Sequence, residues 1–184
     1  NFGVGHSDDG ELYSWGRNLS SQLGKGKPTT FEKFSRPNIY MGKITNLTAG
    51  EQQAGIINKD GKLRMIGSND QGQLGTGATN DNIPKQLDWD AITSNVTEVK
   101  VTETETHILT NSQQIWAYGD NLYAQLGRGN RSLQASNYEA QKINEEGWTR
   151  LYAISEHVYA FKADGTLWAW GKNKNFDLGL GTKS

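Results

Sequence analysis

The chain has 184 residues with 19 basic and 20 acidic side chains, a formal net charge of -1, so electrostatics give little support to a nucleic-acid partner. It has no cysteine, which excludes disulfides and thiol chemistry, and no apolar run approaches the ~18 residues that span a bilayer. Apolar residues make up only 34 %, yet 22 Gly, 6 Trp and 7 Tyr argue against disorder and for many short strands joined by glycine-rich turns.

The start, Asn1-Phe2-Gly3-Val4-Gly5, has neither an initiator methionine nor a signal peptide and reads as part of something longer. Asp9-Gly10 then predicts a hairpin turn, because both residues tolerate positive φ. A short strand follows at Leu12-Tyr-Ser-Trp15, with Tyr13 and Trp15 on one face and Leu12 on the other. Next comes a glycine-rich segment, 16–26, set by Gly16, Asn18, Leu23, Gly24 and Gly26. The polar loop 27–41 carries three aromatic candidates for an interface: Phe31, Phe34 and Tyr40.

The same order then recurs. Ile44, Leu47 and Ala49 mark one strand, Ile56-Ile57 a second, Asp60-Gly61 a turn, and Leu63–Ile66 a third. Gly67, Asn69, Leu74, Gly75 and Gly77 repeat the glycine-rich segment at 67–77, and the loop 78–91 holds a further interface candidate, Trp89. A fourth strand could lie between Gly77 and Leu87, although the pattern there is weak. The third unit runs through Val96, Val99, Val101, Ile108-Leu109 and Ile115–Tyr118 to Gly119, Asn121, Leu126, Gly127 and Gly129. It has Ser112-Gln113 where the others have Asp-Gly, so a different turn is expected there, and its loop 130–144 contributes Tyr138 as an interface candidate. The fourth unit runs through Trp148, Leu151, Ala153, Ala160-Phe161, Asp164-Gly165 and Leu167–Trp170 to Gly171, Asn173, Leu178, Gly179 and Gly181.

The glycine-rich anchors start 51, 52 and 52 residues apart and share the pattern G-x-N-x-x-x-[QD]-L-G-x-G. Such a period is the signature of a repeat architecture. Strands apolar on both faces must be covered on both, and a radial stack of small sheets supplies that cover. The expected fold is therefore all-β: a single β-propeller domain, or part of one, built from about four repeats of roughly 52 residues. Both chain ends cut through a blade, so further copies or missing blades of the same propeller are expected as neighbours.

W-G-x-N-x-x-x-Q-L-G-x-G, preceded by D-G-x-L, resembles the repeat of the regulator of chromosome condensation family, with this chain a remote member. The resemblance implies a β-propeller, typically of seven blades, which would need about three blades more. A second family element, A-G-x-x-H-[ST], is matched at Ala49-Gly50 but has Gln53 in the histidine column. Glu105 and then His157 occupy that column in the next two repeats. The family founder is a nucleotide exchange factor for a small GTPase that also docks on chromatin, through an inserted wedge and basic tails. Spacings of 51, 52 and 52 leave no room for such an insertion. Related propellers include a bacterial β-lactamase inhibitor and large scaffold proteins.

The sequence carries no recognisable catalytic constellation. His6, His107 and His157 fall in different columns or repeats, no histidine pair has ligand spacing, and no metal is expected. The anchors lack the Lys-Ser/Thr of a phosphate-binding loop, and no nucleophile elbow is present. Glu103 and Glu105 alternate in sequence and are expected to share a face, as an acidic patch. The twenty anchor residues are read as structural: glycines for positive φ or close approach, asparagines for side-chain turns, leucines plugging each loop into the core. No catalytic or cofactor-binding residue is assigned. The function expected is a non-catalytic propeller module contacting protein partners as a scaffold or structural subunit, with no nucleic-acid, membrane or metal partner. A virion or bacterial surface protein, a GTPase exchange factor and an enzyme inhibitor are the alternatives.

Overall fold

The computed structural model describes residues 1–79, 85–86, 95–132 and 135–181. Among them, fourteen strands form four antiparallel sheets, each a meander of consecutive strands, and together they make four blades of a propeller. Blade 1 holds β1 (Phe2–His6), β2 (Leu12–Asn18) and β3 (Thr29–Ser35). Blade 2 holds β4 (Ile44–Ala49), β5 (Gln53–Asn58), β6 (Leu63–Gly67) and β7 (Lys85–Gln86). Blade 3 holds β8 (Val96–Val101), β9 (Glu105–Thr110), β10 (Gln114–Gly119) and β11 (Gln141–Glu146). Blade 4 holds β12 (Trp148–Ile154), β13 (His157–Lys162) and β14 (Leu167–Gly171). Aligned on the repeat, blade 1 has the second to fourth strands and blade 4 the first to third.

Each strand begins or ends for a local reason. The first and second strands of a blade shift register at one threonine, between Ile44 and Asn46, Val96 and Glu98, and Trp148 and Arg150. The bulged Thr45, Thr97 and Thr149 donate their hydroxyls to the carbonyls of Ile57, Leu109 and Phe161 at 3.3, 3.1 and 3.2 Å. The second and third strands join through a tight turn. In blade 2, Gly61 N–H donates to Asn58 O at 2.9 Å, while Asn58 Oδ1 accepts from Asp60 N and Lys62 N.

Blade 3 keeps this turn despite lacking Asp-Gly, contrary to the expectation from its sequence. Gln113 takes the left-handed position itself at φ 60, and its N–H donates to Thr110 O at 2.9 Å. A non-glycine residue there costs about 1–2 kcal/mol, which the rest of the hairpin sustains. The turn carbonyl also fastens blade to blade: Gly10, Gly61 and Gln113 O accept from Ile44, Val96 and Trp148 N at 3.1, 3.1 and 3.0 Å.

The anchor loops have one geometry four times over. The Asn Oδ1 accepts the backbone N–H of the leucine five residues on: Asn18 from Leu23 at 3.0 Å, Asn69 from Leu74 at 2.9 Å, Asn121 from Leu126 at 3.1 Å and Asn173 from Leu178 at 3.1 Å. The glutamine or aspartate side chain accepts the N–H two residues before it, at Ser20, Gln71, Tyr123 and Asn175. All four leucines are buried. Between them, Ser21, Gly72, Ala124 and Phe176 all sit at positive φ, from 56 to 73. Only one of these is glycine, so the column is invisible as a sequence pattern.

The apolar cores lie between blades. One unites Leu12 of blade 1 with Ile44, Ala54, Ile56 and Ile66 of blade 2. The next joins Ile57, Leu63, Met65 and Leu74 to Val99, Val101, Ile108 and Tyr118. The third joins Leu109, Ile115 and Ile143 to Trp148, Leu151, Val158 and Ala160. At each seam the first strand of one blade lies against the second strand of the blade before it.

Removing an anchor asparagine strands a buried N–H. Asn121→Ala is expected to lower unfolding free energy by about 1–3 kcal/mol, whereas the exposed Lys174→Ala in the fourth loop stays within about 0.5 kcal/mol. Urea unfolding midpoints of the two variants check this.

Candidate functional site

With the repeated residues committed to building blades, the candidate surface is what does not repeat. On β3, Phe31 faces solvent opposite Arg17, and Phe34 stacks on Tyr13 with ring centroids 4.8 Å apart and an interplanar angle of 8°. Phe34 also lies 5.3 Å from Trp15. Arg36 covers Tyr13 from 5.8 Å and pairs with Glu11 at 3.1 Å. Tyr40 is 88 % exposed, beside a cleft of about 220 Å3 formed by residues 9–12 and 39–44. Phe31, Phe34 and Tyr40 are thus all on the surface of blade 1 and the connection that follows it. Phe31 and Phe34 stand on a strand where a loop was expected, because β3 pairs with β2 as the blade's outer strand. Exposed aromatic side chains are enriched at protein interfaces.

The other two candidates stand apart from this group. Tyr138 is half-buried with its ring packed over Gly72, and its carbonyl accepts Gly77 N–H at 3.1 Å, which ties blade 3 to the anchor loop of blade 2. Trp89 lies outside the described residues.

The titratable residues are dispersed. His6 is exposed, with Nδ1 3.0 Å from Ser7 O. His107 is wholly buried with Nε2 2.9 Å from Gln125 O; burial pushes its pKa down to about 4, so it is neutral and donates from Nε2. His157 Nε2 lies 3.5 Å from Asp177 Oδ2. Among the described residues no group of three His, Asp or Glu side chains converges in a metal-binding arrangement. The expected acidic patch of Glu103 and Glu105 is not formed, because Glu103 is exposed and Glu105 is buried. Glu103 lies in the turn before β9, outside the strand, so the two-residue alternation of a strand does not govern it.

A feature that the sequence pattern alone does not disclose is the seat between blades. In blades 3 and 4 the residue before the anchor packs on the second anchor glycine of the preceding blade, whereas Gly24 of blade 1 is covered first by Ile39 and then by Ile66. A methyl group on Gly75 would lie 2.9 Å from Tyr118 Cζ, and one on Gly127 would lie 2.9 Å from Trp170 Nε1. Trp170 Nε1–H also donates to Gln125 O at 2.9 Å. The two outermost faces carry the same parts without a neighbour. Trp15, in the column of Tyr118, is 39 % exposed, and among the described residues nothing lies within 4 Å of a methyl placed on Gly179. Leu167 is 57 % exposed, whereas its equivalents Leu12, Leu63 and Ile115 are buried.

No family model matches the sequence. Human E3 ubiquitin-protein ligase HERC2 is 27% identical over 181 residues, covering 95% of this chain and 4% of that protein. The bovine secretion-regulating guanine nucleotide exchange factor is 26% identical over 162 residues, covering 87% of this chain and 35% of that protein. Among solved structures, human WBSCR16 superposes with a TM-score of 0.81 at 19% identity, over 93% of this chain and 45% of that one. Prp20p of Saccharomyces cerevisiae, described with its binding to Gsp1p and histones, superposes with a TM-score of 0.81 at 19% identity, over 99% and 46%. The chain spans less than half the length of each of these four proteins.

The seats make a test of position-dependent cost. Ile115→Ala should cost about 2–5 kcal/mol, as buried aliphatic truncations do. Leu167→Ala, the same position on an open face, should cost about 1 kcal/mol or less in the isolated chain. Denaturant unfolding of both variants decides it.

Proposed function

We propose that the chain is a regulator of chromosome condensation-like propeller module, contacting protein partners as a scaffold or structural part of a larger assembly. The observation that carries this reading is the exposure of Phe31, Phe34 and Tyr40 in a stretch whose sequence does not recur in the other repeats. In blade 1 and its following connection, these residues are left over once Asn18, Leu23 and the glycines have built the anchor. The TM-score of 0.81 to Prp20p supports it as a fold suited to protein binding, since that structure is described with Gsp1p and histones. A structure of yeast Prp20 bound to Kap60 superposes equally well. The balanced charge favours protein over nucleic acid as the partner class.

The open faces add a second class of contact. Trp15 and Leu167 occupy positions that every internal seam covers. Further blades, from adjoining chain or another copy, are the complementary cover in this proposal, because the trailing faces of blades 1 to 3 already seat such residues. The ligase activity named for HERC2 is not carried over, since this chain matches only 4% of that protein.

One alternative has an observation of its own: the similarity to a secretion-regulating exchange factor favours action on a small GTPase. The chain would then accelerate release of labelled GDP from at least one member of a GTPase panel, while the proposed role predicts no acceleration.

For the main reading, Phe31→Ser, Phe34→Ser and Tyr40→Ser are combined in one variant. It should keep the thermal midpoint within a few degrees and lose a discrete protein partner by about tenfold or more in quantitative affinity capture, as loss of interface anchors does. Equal capture by variant and wild type would remove these residues from the interface.

A further inference from the structure

Glu105 opens β9, in the position that Gln53 fills in blade 2 and His157 in blade 4. It is fully buried. The backbone beneath it matches that beneath Gln53. Gln53 pairs with Gly67 and Glu105 with Gly119, and both glycines have φ 114. At the seam between blades 2 and 3, the Gln53 amide donates across to the carbonyls of Thr102 and Glu103, the latter at 2.9 Å. One repeat later the corresponding carbonyls belong to Ile154 and Ser155 of blade 4. An ionised carboxylate has no hydrogen to give them.

Burial disfavours the ionised form and outweighs the hydroxyls of Thr104 and Thr102, which favour it. Oε2 accepts the Thr104 hydroxyl at 2.6 Å, and Oε1 has no hydrogen-bond partner among the described residues. The charges that act on Glu105 have its own sign: Asp120 from the anchor loop of its blade and Glu156 from the facing turn of blade 4. Glu103, on its own turn, is exposed. The nearby cation Lys172 is held by Glu156 at 3.4 Å. Among the described residues Glu105 has no salt bridge.

We propose that Glu105 is a proton-operated latch on the seam between blades 3 and 4. Neutral, it supplies the hydrogen-bond donor that Gln53 supplies one seam earlier. Ionised, it is a buried charge facing Asp120 and Glu156, and blade 4 seats less tightly. Desolvation, the main cause, raises its pKa to about 7 from an ordinary 4.5, in keeping with that geometry. The folded chain therefore holds a proton that the unfolded chain releases. Stability from this group is complete below about pH 4.5 and is lost as pH rises through about 7, by up to about tenfold in the folding constant per pH unit. Buried His107 runs the other way, losing stability as pH falls from about 6.5 to about 4. The two slopes offset each other in the wild type, so the latch is read from a difference between variants.

The experiment is urea unfolding of the full chain and of Glu105→Gln from about pH 4.5 to about pH 8.5. The folding constant of Glu105→Gln relative to wild type should rise by up to about 100-fold across that range. A relative constant that does not change with pH overturns the proposal. The reciprocal variant Gln53→Glu should acquire the same alkaline loss at the preceding seam, and a pH-independent cost there counts against it. Infrared difference spectra check protonation directly. A protonated-carboxyl band at about pH 6 that disappears by about pH 8.5, and is missing in Glu105→Gln, supports the latch. Its absence from the wild type refutes it.

Discussion

Every sheet in this chain is apolar on both faces, and that constraint organises the rest. A three-stranded or four-stranded meander cannot bury both sides by itself, so each blade needs another on either hand. The three apolar clusters accordingly lie in the seams, each drawing residues from two blades. Stability in such an array is close to a sum over neighbouring pairs. The same side-chain type then has a different energetic meaning by position. Leu12, Leu63 and Ile115 are buried core, while Leu167, on the same column, faces solvent.

The anchor loops answer a second need that follows from the first. Blades can approach closely only where the chain offers no side chain, and Gly75 beneath Tyr118 and Gly127 beneath Trp170 are those places. A glycine-rich loop would be loose without internal support. The asparagine carbonyl that takes the leucine N–H supplies it, and the leucine behind that N–H is then driven into the seam. Asparagine, leucine and glycine therefore work as one unit, which is why they recur together.

Much of this could be read from the residues alone. The anchor, the strand before it and the three-strand meander were legible because the same chemistry is required four times, so chance is averaged away. The fourth strands were only faintly so: β7 (Lys85–Gln86) falls within the stretch from Gly77 to Leu87 where one was expected, on a weak pattern. β3 and β11 are largely exposed, so no burial constraint writes an alternation into Thr29–Ser35 or Gln141–Glu146. The left-handed column of Ser21, Gly72, Ala124 and Phe176 was illegible for another reason, since the loop's hydrogen bonds impose the backbone conformation on whatever residue is there. Thr45, Thr97 and Thr149 were a readable signal, each directly after the first residue of its strand, and their bulge gives them their purpose. For the surface, Phe31 and Phe34 stand on β3 where the residues suggested a loop, and Tyr138 shows that a place between blades does not determine exposure.

The seams are not interchangeable, and their differences are polar. Ser20 donates to Gln52 between blades 1 and 2 at 2.9 Å. Between blades 2 and 3, Gln53 reaches Glu103 O and Thr106 reaches Gln73 O at 2.8 Å. Between blades 3 and 4, Trp170 bonds Gln125 O, and valine replaces the threonine at Val158. Apolar faces alone would tolerate blades docked in the wrong order, because Leu, Ile and Val pack with similar energies. A misplaced Gln53 or Thr106 would instead leave a buried polar group unpaired, at about 1–3 kcal/mol. The seam polar groups thus add little net stability when satisfied and a large penalty when exchanged. In a chain of repeats that share one backbone plan, that asymmetry is what gives each blade its place.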